Sequence, residues 1–482
     1  MSRYPCLDEL QTWLDSYLNF ERTPQKDVLW LNTMELLCDT LGRPERAARV
    51  FHIAGSKGKG SVSAFISSIL DAAGYRVGLY TSPHILDFAE RVGSAHGTFT
   101  EDVYQVAASE LMQTVNTGIA DALPYGRRPT WFELVTLYAF LCFRAARTDY
   151  NVLEVGLGGR LDATNVVAPV ACCITPIELE HTAFLGNTIA AIAAEKGGII
   201  KPAVPVYVSA QLPAARSQLR HIAEEQHAPI LFIDELITSI KVDYKHYNYG
   251  DNYIQSQKNC LQNHSYFDRD DGFGMQVELR APVFNRPLYA RLRMLGTFQA
   301  ENAMLAAIAV KSSLPSLPED TIEQGLSATV LPGRFELLHP HAYAGLRALV
   351  LDGAHTVNSI SAVLATFRAV FGFRHTAHLL FACAADKDMA GIAQLFAGAH
   401  ADNGAHIAFG RITLTTPGSA TQRSNLASLC HAFDNAGLRY DCDENYSTAS
   451  RTALEAADRE SAVLLVTGSF YLLTEVKRLL AT

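Results

Sequence analysis

The chain has 482 residues, 49% of them hydrophobic, and a formal net charge of -9. That length supports two or three packed domains, and an acidic balance without a basic run excludes an extended nucleic-acid surface. No apolar run reaches the roughly 18 residues of a membrane span, and the start MSRYPCLDEL has no signal-peptide pattern. The expected location is therefore the cytoplasm, with no nucleic-acid or membrane partner.

An acidic protein that takes anionic substrates must hold them with local Arg and Lys, because its overall field does not attract them. The nine cysteines form no Cys-x-x-Cys pair, and Cys172 and Cys173 sit in the apolar run VACCITPI; buried reduced thiols are expected.

In chain order, RVFHIAG reads as a strand ending at a glycine. Val62, Phe65, Ile66, Ile69 and Leu70 then recur at helical spacing, and Gly74 is the expected stop. YRVGLYTS is the next strand, and TWFELVTLYAFLCFRAA reads as a buried helix. YNVLEVG, ACCITPI and VPVYVSA are strands, with NTIAAIAAEKGGI a helix among them. Strands alternating with helices imply a mostly parallel α/β sheet. Residues 236–294 differ: a polar stretch rich in Tyr, Asn, Asp and Gln precedes GMQVELRAP and YARLRML, which read as antiparallel strands. After LPGRFELL the α/β rhythm restarts with LRALVLDGAH, HTAHLLFACAADKD, HIAFGRIT and SAVLLVTGSF, so a second α/β domain is expected from about residue 340.

The stretch HIAGSKGKGSVSAF looks like a phosphate-binding loop with an unusual spelling. The common pattern G-x-x-x-x-G-K-[ST] puts glycine where Ile53 stands, and a metal-ligating hydroxyl where Gly60 stands. A strand ending in Gly55, then Gly58, Gly60 and an amphipathic helix, still presents backbone N–H groups at a helix N-terminus, which is a phosphate nest. Lys59 would reach the β- and γ-phosphates. Ser61 comes one place too late for the usual metal contact. Other hard ligands are expected where neighbouring parallel strands end: Ser82, Glu154 and His181.

Ten blocks in order resemble the folylpolyglutamate synthases and bifunctional dihydrofolate synthases of the Mur ligase superfamily. They are HIAGSKGKGSV, TSPHILDFAERV, TWFELVTLYAF, LEVGLGGRLDATNVV, EHTAFLGNTIAAIAAEKGGIIKP, LGTFQAENAMLAA, LPGRFELL, LDGAHTVNS, ADKD and VTGSFYLL. The resemblance implies an N-terminal P-loop ATPase domain over 1–338, with a mostly parallel sheet plus a small antiparallel sheet. It also implies a C-terminal Rossmann-like glutamate-ligase domain over 339–482. The family's own phosphate loop, G-[ST]-x-G-K-[GT]-[ST], fits Gly55, Ser56, Lys57, Gly58, Lys59, Gly60 and Ser61. ATP would also meet Asn302, Arg334 and Asp352, with His355 near the phosphates. Magnesium would be held by Ser82, Glu154 and His181. A second magnesium would be held by Lys196 as a carbamate; the alternative is an ordinary lysine paired with Glu195 or a neighbour. Thr130, Trp131, Phe132, Glu133 and Asp162 match positions near the pterin or folate.

The implied reaction joins L-glutamate to dihydropteroate, to the glutamate tail of a reduced folate, or to both, through an acyl phosphate, in a monomer. Lys59, Lys196 and His355 are the expected catalytic groups. The alternatives are tail extension alone, ligation of an amino acid to a UDP-linked cell-wall precursor, or a non-catalytic nucleotide-binding module. The chain departs from the family at Glu180 (usually Asp), Phe298 (commonly His), Thr356-Val357 (usually Asn-Pro) and Gly197 (usually Ala).

Overall fold

The computed structural model describes residues 4–19, 31–119, 123, 128–244, 274–372, 376–398, 407–417 and 426–481. The polar stretch expected near 240–270 lies, from residue 245, outside them. The chain divides into two compact units: residues 1–240, 279–288 and 299–331 make the first, and 241–278, 289–298 and 332–482 the second.

The first unit is built on eight strands: β1 (Arg49–Ala54), β2 (Val77–Tyr80), β3 (Val92–Ser94), β4 (Gly97–Thr98), β5 (Tyr150–Glu154), β6 (Ala171–Ile174), β7 (Val206–Val208) and β8 (Ile230–Phe232). Their order is β4-β3-β2-β5-β1-β6-β7-β8. β2, β5, β1, β6, β7 and β8 run parallel. The short β3 and β4 add an antiparallel edge that the sequence reading did not anticipate. β5 and β6 are buried at every position, because a parallel sheet carries helices on both faces. Ile53 registers with Glu154, and Ala54 with Ile174, so the carboxyl ends of β1, β5 and β6 open at one edge.

The helix after β1 spans Lys59–Ala72 and buries every residue from Gly60 to Leu70. Gly74, at φ 85°, lies just past its end, where the left-handed backbone favours glycine. The helix Glu319–Ala328 packs on it so closely that a Cβ on Gly325 would collide with the Ile69 backbone. Trp131–Ala145 is a core helix, buried at all but Phe132, Arg144 and Ala145, with Thr130 as its N-cap.

A separate three-stranded sheet has the order β11-β10-β9, from β9 (Ser239–Asp243), β10 (Met275–Arg280) and β11 (Leu288–Leu292). It is the small antiparallel sheet expected from GMQVELRAP and YARLRML. Its third strand, SIKVD, alternates at Ile240 and Val242 ahead of the polar stretch, and the sequence reading missed it. Burial along β10 and β11 alternates, as in a sheet with one wet face.

The second unit carries six strands: β12 (Glu336–Leu338), β13 (Ala348–Asp352), β14 (Ala377–Phe381), β15 (Phe409–Thr415), β16 (Asp441–Asp443) and β17 (Val463–Thr467). Their order is β12-β13-β17-β14-β15-β16, all parallel except the β12 edge. β13, β14 and β17 are buried throughout and hold the core with the helices Tyr446–Arg459 and Phe470–Ala481.

Candidate active site

The glycine loop lies between β1 and the helix Lys59–Ala72. Gly55 (φ 143°) and Gly58 (φ 88°) hold left-handed backbone, and Gly58 is the helix N-cap. A Cβ on Gly58 would come 2.7 Å from Asn302 Oδ1, so glycine is required by space as well as by angle. The first turn of the helix has no intrahelical acceptor for its N–H groups and sits where the macrodipole favours an anion. The N–H groups of Ser56 and Lys57 both donate to the carbonyl of Pro176, at 2.9 and 3.3 Å.

Three lysines gather at this loop. Lys59 Nζ donates to the Gly55 carbonyl at 3.1 Å. Lys196, 2% exposed, donates to the same carbonyl at 2.8 Å and to Glu180 Oε1 at 3.0 Å. Lys57 Nζ lies 3.8 Å from Glu180 Oε2. Burial alone would raise the Glu180 carboxyl, but Lys196, Lys59, Lys57 and His181 together bring it down to about 2. Lys196 is pushed down to about 8, first by burial and then by the charge of Lys59, against the pull of Glu180. Glu180 moves down because several positive charges face one carboxylate, and Lys196 moves down because burial and the charge of Lys59 outweigh that carboxylate. Glu195 pairs with Arg160 instead, at 2.9 Å. As an ammonium, Lys196 is an ion-paired donor and offers no lone pair to a metal.

At the end of β5, Glu154 is 4% exposed and accepts the backbone N–H of Ser82 at 3.1 Å. A Cβ on Gly60 would lie 3.4 Å from Glu154 Oε2. The side chain that carries the metal-ligating hydroxyl in the common loop would therefore point at this carboxylate, which supplies a hard oxygen there instead. Ser82 and Glu154 thus meet through the Ser82 backbone, and a buried carboxylate beside a phosphate loop suits a divalent cation. His181 stands exposed at φ 48°, the N-cap of the short helix Thr182–Leu185. Among the described residues no group of three or more His, Cys, Asp or Glu side chains is drawn together around one point.

Asn302, on the helix Thr297–Ser313, is buried and donates to Gln299 Oε1 at 3.0 Å. Its contact here is with the loop at Gly58.

Thr130 and Glu133 turn toward one another in a capping box: Thr130 N and Oγ1 donate to Glu133 Oε2 at 2.7 and 2.9 Å, and Glu133 N donates to Thr130 Oγ1 at 3.3 Å. Trp131 is buried, while Phe132 is partly exposed and fills the space over Gly156. Asp162 is buried and accepts from Leu157 N at 2.9 Å and from Thr164 N and Oγ1 at 3.0 and 2.6 Å; burial raises its pKa against those bonds.

The sequence reading missed Arg91. This guanidinium is 1% exposed, lies 4.9 Å above the Trp131 ring, and donates from Nε to His84 Nδ1 at 2.8 Å. The signal was present in TSPHILDFAERV, where an Arg and a His share one short block.

In the second unit, Asp352 ends β13 and accepts from Phe335 N at 2.7 Å and Ala354 N at 2.8 Å. Burial raises its pKa, against the attraction of Arg334. Arg334 lies over the Phe470 ring at 4.6 Å. His355 Nδ1–H donates to the Gly353 carbonyl at 2.8 Å, which fixes the orientation of the ring. Thr356 caps the helix Val357–Phe371 in a box with Ser359.

Residues 333–470 match the family model described as Mur ligase, glutamate ligase domain. The chain is 29% identical over 485 residues to the dihydrofolate synthase/folylpolyglutamate synthase of Bacillus subtilis (strain 168), covering 98% of this chain and 99% of that protein. Among solved structures it is similar to the folylpolyglutamate synthase of Thermotoga maritima, with a TM-score of 0.75 at 27% identity over 99% of this chain and 97% of that one. The Mycobacterium tuberculosis folylpolyglutamate synthase complexed with ADP matches with a TM-score of 0.77 at 25% identity, covering 99% and 98%.

Proposed function

Because the chain belongs to the folylpolyglutamate and dihydrofolate synthases of the Mur ligase superfamily, we propose that it uses ATP to join L-glutamate to a pterin or folate acceptor, dihydropteroate, a folate glutamate tail, or both. The observation that carries this reading is the glycine loop between β1 and its helix, with Lys59 within it and the Glu154 carboxylate facing Gly60.

The acceptor's carboxylate attacks the γ-phosphorus of ATP. ADP leaves and an acyl phosphate forms. The amine of L-glutamate then attacks the acyl carbon, inorganic phosphate leaves, and the amine gives up a proton as the amide forms. Phosphoryl transfer asks for positioning and charge neutralisation more than covalent help. Lys59 supplies the positive charge and the first-turn N–H groups supply position. Magnesium, held by Ser82, Glu154 and His181, would neutralise phosphate charge. For a second ion we propose Lys196 as a carbamate. A pKa near 8 leaves a fraction of neutral amine, whose nitrogen would bond the carbon of carbon dioxide and release a proton; the anion so formed would give up the ammonium's bond to Glu180 and offer oxygen ligands to a metal.

Asn302, Arg334 and Asp352 are the proposed ATP contacts beyond the loop, with His355 as the proposed catalytic group of the glutamate-ligase domain, 339–482. The proposed acceptor site lies in the ATP-binding domain, 1–338, with Phe132 and Asp162; Thr130 and Glu133 shape it through their capping box, and Arg91 stacks on Trp131. Among the described residues no helix is long and apolar enough to cross a membrane. A monomeric cytoplasmic enzyme completes the proposal.

The test is phosphate release with L-glutamate and, in parallel, dihydropteroate or tetrahydrofolate, followed by mass analysis of the products. Glutamate-dependent release with either acceptor supports the ligase, and the pair of results separates dihydrofolate synthesis from tail extension. Release only with a UDP-linked cell-wall precursor, or none at all, refutes it.

A further inference from the structure

The donors of the phosphate loop are engaged by one neighbouring segment of the chain. Ser56 N and Lys57 N converge on the Pro176 carbonyl oxygen at 2.9 and 3.3 Å, the way successive N–H groups of a nest converge on an anion. Ser56 Oγ and the Glu178 backbone exchange two further bonds, Glu178 N to Ser56 Oγ at 3.0 Å and Ser56 Oγ to Glu178 O at 3.3 Å. Two residues on, the Glu180 carboxylate lies 3.0 Å from Lys196 Nζ and 3.8 Å from Lys57 Nζ. A polyphosphate seated in this loop needs the same N–H groups and the same ammonium charges. It cannot share them with a carboxylate in a half-buried site without strong repulsion.

We propose that the segment Pro176–Glu180 is an internal occupant of the phosphate loop, anchored by the carboxylate of Glu180, and that nucleotide binds by exchange against it. The proposal rests on the reading of this loop as the nucleotide site. The Glu180 side chain is long enough to meet Lys196 with one carboxylate oxygen and to face Lys57 with the other. Glu180 is thus a positioning residue. It holds the ammonium groups of Lys196 and Lys57 beside the loop, and it sets an anion-exchange cost on every nucleotide that enters.

Two measurements test this. The first is ADP affinity by calorimetry with magnesium chelated, for the wild type, Glu180→Gln and Glu180→Asp. Removing the competing anion is expected to tighten ADP at least threefold in Glu180→Gln, with Glu180→Asp between that variant and the wild type. Equal or weaker binding by Glu180→Gln overturns the proposal. The second uses the wild type alone, in case the glutamine variant does not fold with Lys196 unpaired. Saturating ADP should accelerate hydrogen exchange at the Glu178 amide, which loses Ser56 Oγ as acceptor, while amides of the helix Lys59–Ala72 slow. An unchanged or slowed Glu178 amide overturns the exchange. If wild-type protein binds no ADP, the nucleotide reading of the loop fails; if it binds ADP with no such differences, only the internal occupant fails.

Discussion

Replacement of His52 by glutamine should remove a large part of the protein's acid sensitivity. His52 lies on β1, just before the loop, and is fully buried. Its Nε2 is 2.8 Å from Thr164 Oγ1, whose own proton goes to Asp162 Oδ1 at 2.6 Å. Nε2 therefore carries the hydrogen, and Nδ1 is a buried lone pair with no hydrogen-bond partner among the described residues. A second proton would create a buried N–H without an acceptor, close to the charge of Lys201. Burial first, and Lys201 second, push the pKa from its ordinary 6.5 to about 3. A depressed pKa contributes stability that is present above the unfolded value and is lost as pH falls toward the folded one. Between about pH 7.5 and about pH 4.5 the unfolded chain alone takes up this proton, at a cost to the fold of about 2–3 kcal/mol. Glutamine keeps an N–H for Thr164 and does not titrate. Urea unfolding of both proteins at the two pH values gives a difference of differences in which the other titrating groups cancel. The wild type should lose about 2–3 kcal/mol more than His52→Gln on acidification. Equal losses would refute a neutral, buried His52.

Lys59→Ala should fold normally and lose on the order of 10²-fold or more in turnover, read as glutamate-dependent phosphate release; a near wild-type rate would mean that the loop is not the phosphate site. Glu154→Gln keeps the shape beside Gly60 and removes the charge, so the magnesium concentration for half-maximal rate should rise and the rate fall, whereas unchanged magnesium dependence would remove Glu154 from the metal site. Ser82→Ala should show a milder form of the same change, since a neutral hydroxyl contributes less than a carboxylate. Lys196→Ala should abolish turnover, and acetate should partly restore it if a carboxylate is what the reaction needs at that place; loss without rescue at any acetate concentration would favour the ion pair with Glu180 as the whole role of the lysine.

What was legible in the sequence follows from local physics. A glycine loop between a buried strand and a helix is written in neighbouring residues, and β1, the loop and the helix Lys59–Ala72 lie where HIAGSKGKGSVSAF puts them. The buried parallel strands were equally plain, since a strand covered on both faces must be a continuous apolar run. The short edge strands β3 and β4 were not, because two or three residues carry no period. The capping box of Thr130 and Glu133 is spelled Thr-x-x-Glu in TWFE, yet nothing in the spelling tells whether those groups spend their hydrogen bonds on the helix or on a ligand. The hold of Pro176–Glu180 on the loop was hidden for another reason. It joins positions about 120 residues apart through backbone atoms, and a carbonyl oxygen has no sequence signature.

The departures from the family's spelling make physical sense once the local structure is given. Thr356-Val357 stands where Asn-Pro is usual, and Thr356 is the N-cap of the helix Val357–Phe371. Asparagine and threonine both cap by accepting a first-turn N–H, and proline at the first helical position is favourable chiefly because no hydrogen bond is needed there. In this chain the Thr356 hydroxyl accepts from Ser359 N, and Ser359 Oγ in turn accepts from the N–H groups of Thr356 and His355 at 2.9 and 3.1 Å. The exchange thus keeps the cap and adds a bond that holds the backbone of His355, while the His355 ring is fixed separately by Gly353. The same logic covers Gly60. Losing the hydroxyl of the common loop is tolerable only where another oxygen fills its place, and a side chain at that position would run toward Glu154. On the proposed reading Glu154 supplies that oxygen, a hard carboxylate ligand set beside the loop without a hydroxyl at position 60.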